Sequence, residues 1–307
     1  MSVYHFPAPL EREHLLSCLM RYAISQGRKE YVKVAKQVST NVSKVDCNSY
    51  WRTIYRDALI QYLPKYHSQI AFDNTLLKVF SSFTQCDFST LLTQQLEQPL
   101  KLQLKYANLE QVHHGWKWCP ECVTEDEETY GVAYWHCDHQ FALKKRCSQH
   151  GTLLISECQH CNYSFSSILQ GAPPLSSCPK CGESFIQQDR EDTDADLWIE
   201  GCANRILQDE FELNKTEVQE YFKAKYGFNE LKRQWTLAER KHITYQQDLF
   251  GKWLDTLDLS NHLVPLSNNK PYSHLSAFNV SSYTFKNHNL APMIHLLFKR
   301  YWLERLC

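Results

Sequence analysis

Four pairs of metal-ligand side chains, each separated by two residues, fall between positions 119 and 181: Cys119-Pro-Glu-Cys122, Cys147-Ser-Gln-His150, Cys158-Gln-His-Cys161 and Cys178-Pro-Lys-Cys181. Two ligands at this spacing turn around one ion in a tight knuckle, and two knuckles supply the tetrahedral shell that Zn²⁺ prefers. Eight ligands therefore specify two sites. Sequential pairing is the economical arrangement: Cys119, Cys122, Cys147 and His150 in one site, and Cys158, Cys161, Cys178 and Cys181 in an all-thiolate second. Interleaved pairing stays open at this level. A closed shell of four protein ligands leaves no position for water, so two structural zinc ions are expected rather than a catalytic one. His136, Cys137, His139 and His160 lie off the repeated spacing and read as core or surface residues, with Cys137 and His139 the nearest substitutes for a ligand.

Disulfides would need an oxidising compartment, and the opening Met1-Ser-Val-Tyr-His-Phe-Pro7 lacks the charged, apolar and small-residue series of a secretory signal. Thirteen cysteines then point to a reducing cytoplasm, with Cys18, Cys47, Cys86, Cys202 and Cys307 as buried small hydrophobes. At 307 residues and 43% hydrophobic content the chain suffices for two or three domains. No apolar run approaches the roughly 18–20 residues that a membrane span requires. A net charge of −1 excludes coating nucleic acid by bulk charge and leaves only local patches. The chain has no phosphate-binding Gly-rich loop, no H-E-x-x-H helix and no G-x-S-x-G elbow. Asp87, Glu121 and Asp126 lack the pattern of a metal-dependent nuclease, so no enzymatic activity is expected.

Residues 1–110 read as an N-terminal bundle of short helices of helix-turn-helix type. Helices are expected over 11–26, 31–38, 49–62 and 74–83, and from a capped start at Asp87. The bases Arg21, Arg28, Lys29, Lys33 and Lys36 read as a solvated face. Residues 111–188 form the double zinc-binding module, in which Trp116, Trp118, Tyr134 and Trp135 are expected to pack as a miniature core. Lys144, Lys145 and Arg146 lead into Cys147 and are candidates for contact with a phosphate backbone. Residues 189–307 form a C-terminal helical domain, with an acidic linker and helices over 197–211, 215–226, 229–235, 245–257 and 293–306. Lys232, Arg233, Arg240 and Lys241 are its candidate DNA contacts. The expected fold is mainly α, with helix-turn-helix-like domains flanking a central double zinc-knuckle or zinc-ribbon module.

The arrangement Phe6-Pro-Ala-Pro9, Glu13-His-Leu-Leu-Ser17 with Arg21, Cys119-Pro-Glu-Cys122, Tyr130-Gly-Val-Ala-Tyr-Trp135 and Cys147-Ser-Gln-His150-Gly resembles the TniQ/TnsD family of transposon target-selection proteins. Lys241-His-Ile243 and the terminal segment from Leu290 to Leu303 look more like the TnsD branch. The resemblance implies a target-site selector of a Tn-seven-like element, which binds chosen double-stranded DNA and recruits the AAA+ ATPase TnsC. By the same analogy, the N-terminal helices face TnsC. The alternative it implies is a TniQ-type adaptor that couples a CRISPR effector complex to TnsC without reading sequence. Either would work in the bacterial cytoplasm, nucleoid-associated when on DNA. The resemblance carries Cys119, Cys122, Cys147 and His150 over as metal ligands, whereas Cys158, Cys161, Cys178 and Cys181 rest on their own spacing. TnsD-like proteins usually run longer, and an end inside a helical pattern at Leu306-Cys307 favours truncation.

Overall fold

A computed structural model of the chain describes residues 6–27, 31–39, 50–84, 86–98, 102, 104–110, 115–165, 172–185, 191–230, 235–264, 271–286 and 288–306. Its regular structure is helical, and among the described residues extended pairing is confined to isolated bridges.

Local caps decide where the N-terminal helices begin. Helix α1 runs Leu15–Ser25, with the His14 ring accepting the Leu16 N–H. It starts four residues later than expected because Arg12 sits at φ 55° and Glu13 bridges backbone to backbone with His136. After α2 (Tyr31–Val38) and α3 (Thr53–Tyr62) comes α4 (His67–Asp73), where no helix was expected. Helix α5 spans Leu77–Thr84. Asn74, expected inside it, instead donates its side-chain amide to the carbonyls of Leu10 and Glu13 at 3.2 and 2.6 Å. Helix α6 (Phe88–Glu97) opens on Asp87, whose carboxylate accepts the Thr90 N–H, as the capped start predicts.

Helix α7 (Pro120–Tyr130) grows out of the first knuckle, with proline at its first position and Gly131 ending it at φ 72°. Helix α8 (Asp194–Leu207) begins with a reciprocal Thr193–Asp196 capping box, and α9 (Lys215–Tyr226) stops at Gly227. Helix α10 spans Leu237–Leu254, eight residues longer at its start than expected, because Thr236 and Glu239 form a second capping box. The expected helix over 229–235 is not present in its described residues, and positions 231–234 lie outside them. Helices α11 (Val280–Phe285) and α12 (Pro292–Glu304) complete the chain.

Two apolar cores hold these elements. One joins α1, α2, α3 and α6 to Trp116, Trp118, Trp135, Phe165 and Phe185 of the cysteine-rich region. The tryptophans thus pack as predicted, but into the core of the N-terminal helices rather than a separate miniature one. The other joins α8, α9, α10 and α12 to the far side of α5 and to Cys137, Phe141 and Leu143. The first core draws on residues either side of 110, and the second on residues either side of both 110 and 188. No helix among the described residues is long and apolar enough to cross a membrane.

Candidate metal centres

The pairing left open by spacing is decided by position. Cys119, Cys122, Cys147 and His150 gather in one group, Cys158, Cys161, Cys178 and Cys181 in another, and each group can hold a metal ion. Cys122 and Cys147 sulfurs lie 3.5 Å apart, and the His150 Nδ1 is 3.4 Å from the sulfurs of Cys119 and Cys122. In the second group the Cys158–Cys181 and Cys161–Cys178 sulfurs are each 3.6 Å apart. A tetrahedral zinc shell places two sulfurs about 3.8 Å apart and sulfur and nitrogen about 3.6 Å apart. A disulfide would bring two sulfurs to about 2 Å. The donor sets and spacings therefore fit zinc and not cross-links.

Three of the four knuckles are built alike. After the second ligand the backbone enters the left-handed region at Gly151 (φ 70°), Asn162 (φ 54°) and Gly182 (φ 78°). That turn lets the N–H of each donate back to the carbonyl of Cys147, Cys158 and Cys178. Glycine or asparagine is required because a larger side chain resists this conformation. The first knuckle differs, since Cys119 caps α7 and Cys122 lies in its first turn. The positive end of a helix favours thiolates. Hydrogen bonds from the Cys122 and Cys147 thiols hold Cys119 well below the usual thiol range.

A second layer orients the ligands. The His150 Nε2 donates to Glu125 Oε1 at 2.9 Å, leaving Nδ1 to face the sulfurs, and Thr152 places its hydroxyl 3.2 Å from the Cys119 sulfur. Glu125 was not singled out from sequence, although its place one turn after Cys122 is a readable signal.

The basic candidates separate. Lys144 is fully buried and its ammonium bonds Glu200 and Asn204 of α8, which corrects its reading as a DNA contact. A buried ammonium needs such partners to offset its lost hydration. Half-buried Lys145 donates its backbone N–H to Glu200. The Arg146 guanidinium pairs with Asp192 at 2.8 Å and bonds the Gly151 carbonyl, so it braces a knuckle. Arg240 and Lys241 are exposed on α10, while Lys232 and Arg233 lie outside the described residues. Leu237 and Tyr245 on the same half of α10 are 72% and 58% exposed, and burial resumes only at Gln246.

The motif residues near the N terminus serve the same assembly. Glu13 is buried and accepts both Nε and a terminal nitrogen of Arg21 at 2.7 Å, and Ser17 Oγ accepts the Trp135 N–H. The Ser17 bond fastens α1 to the strip preceding the second knuckle, and the Glu13–Arg21 pair braces the start of α1.

No curated protein matches the chain. Residues 4–154 match the family model TniQ, which takes in the Cys119 group whole and ends before the Cys158 group.

Proposed function

We propose, from the match of residues 4–154 to the TniQ family model, that this is a transposition-associated protein of the TniQ/TnsD type that selects the insertion site by binding duplex DNA through α10. We further propose that it holds structural zinc in both cysteine groups, recruits the AAA+ regulator TnsC through its N-terminal helices, and performs no chemistry of its own. The observation that carries the DNA reading is the largely exposed first half of α10. There Arg240, Lys241 and His242 stand exposed between Leu237 and Tyr245, on a helix that is buried from Gln246 onward and meets the core in its first half through half-buried Ile243. A groove-entering helix presents its N-terminal residues to base edges and phosphates in this way. Each phosphate neutralised releases counterions, so binding weakens steeply with salt.

A gel-shift titration on duplex DNA at several salt concentrations tests this. Arg240→Glu/Lys241→Glu is expected to weaken binding at least tenfold and to flatten the slope of log K against log salt by roughly two, about one per cation. An unchanged slope and affinity would remove α10 from the interface.

One observation favours the adaptor reading for a different face. Helix α7 exposes Glu121, Glu125, Glu127 and Glu128 and carries no basic residue. Such a surface repels phosphate and suits a basic protein partner. Glu127→Lys/Glu128→Lys would then weaken capture of TnsC or of a CRISPR effector complex while sparing DNA affinity. If the protein shows no salt-dependent DNA binding and α7 charge reversal alone abolishes partner capture, the adaptor role replaces the selector role.

A further inference from the structure

We propose that the Cys122 thiolate bridges to a second divalent cation of the zinc class, held beside the first group by His136 and His139 and open to a solvent cleft. The ligand atoms of Cys122, His136 and His139 lie within 4.8 Å of one another, and all three residues are buried. His139 is 1% exposed, and its Nδ1 has no hydrogen-bond partner among the described residues. An imidazole nitrogen left bare in the interior costs free energy unless something fills its coordination. His136 has the support expected of a ligand, because its Nε2 meets Asp126 Oδ2 at 3.0 Å. Glu125 and Asp126 are consecutive on α7, and each backs one histidine that approaches Cys122. Carboxylate-backed imidazole is the usual second layer of a metal site.

Charge and access agree. This inference rests on metal loading of the Cys119 group: three thiolates around one divalent ion leave that group with net charge −1, which favours a second cation. An open cleft of about 260 Å³ is lined by Cys122, Asp126 and His136, together with Glu11, Tyr130 and Tyr134. It provides an entry path and room for water as the remaining ligand. Three protein ligands plus water form an open shell, unlike the two closed groups. With three protein ligands where the closed groups have four, the added ion is held more loosely than the other two.

Equilibrium dialysis of the full chain against buffered free Zn²⁺, with bound metal counted by mass spectrometry, tests the assignment. The wild type is expected to saturate at three equivalents and to fall to two after passage through a weak chelator. His139→Ala and His136→Gln are expected to saturate at two. Saturation of the wild type at two equivalents, or retention of three by both variants, would overturn it. Titration of the zinc-loaded wild type with Co²⁺ reads the bridge without any substitution. The added ion should gain a sulfur-to-cobalt charge-transfer band, and cobalt binding without that band would remove Cys122 from the site. A protein with no bound zinc at all would instead sink the metal-centre reading beneath it.

Discussion

Glu13 has no water to solvate its carboxylate, and Arg21 supplies the replacement through a two-point contact at 2.7 Å. Breaking a buried pair by removing one partner costs about 3–5 kcal/mol, because the other charge is stranded. Arg21→Ala should therefore lower the urea midpoint by an amount corresponding to roughly 3 kcal/mol, and an effect below about 1 kcal/mol would show that water takes the place of the guanidinium. Glu110 presents the opposite case. It is buried and accepts only the Met293 N–H among its described hydrogen bonds, and burial pushes its carboxyl up to about 7 from an ordinary 4.5. The folded state thus binds this proton more tightly than the unfolded one. Its stabilising contribution is full below about pH 4.5 and is lost as pH rises through about 7. Glu110→Gln should remove that loss, so the variant's melting temperature should gain on the wild type between pH 5 and pH 8; a constant difference across that range would contradict the assignment. Residue roles were legible in sequence where chemistry is written in spacing, as for Cys158 and Cys161. They were not where a partner lies far away: Lys144 and Glu200 are 56 positions apart, and nothing local marks that lysine as buried.

Elements were legible to the extent that their ends are. Asp87 announced α6 and Gly227 closed α9, because both act within one turn. The start of α10 was missed because Leu237 to Tyr245 turn a single half-buried side chain, Ile243, to the core rather than an apolar stripe, and that leaves most of this half of the helix exposed. The signal that would have found it is Thr236-Leu-Ala-Glu239, a capping box in plain sequence. Helix α7 was not anticipated because a cysteine knuckle dominated the reading of its start, although Pro120 and Gly131 mark its limits. The repeated knuckle turn yields a prediction of its own. Gly182→Ala introduces a side chain at φ 78°, which costs about 1–2 kcal/mol even though the added carbon meets nothing within 4 Å. Metal should leave the Cys158 group first when that variant is titrated with chelator, whereas Asn162→Gly, already left-handed at φ 54°, should behave as wild type.

At the scale of the molecule, the sequence divides more cleanly than the structure does. Composition separates three regions, but the strip from Cys137 to Arg146 is shared: it lies against the C-terminal core through Phe141 and Leu143 and holds α8 through Lys144. The N-terminal core likewise closes on Phe165 and Phe185 beside the second cysteine group. Long-range packing of this kind has no periodicity to read. One consequence separates folding from recognition: Lys144→Ala should lower the melting temperature by roughly 5–10 °C, about 3 kcal/mol in a chain of this size, and leave the salt slope of DNA binding unchanged. A flattened slope would return Lys144 to the DNA surface. The two cysteine groups sit between the helices, and the assembly proposed above depends on metal holding them. The most direct test is the zinc content of the purified protein after passage through a weak chelator, measured together with the state of its thiols. Two equivalents per chain with the seven cysteine ligands undisulfided are predicted, falling to one in both Cys122→Ala and Cys178→Ala; a metal-free, folded protein, or one with Cys158 and Cys181 joined by a disulfide, would contradict it.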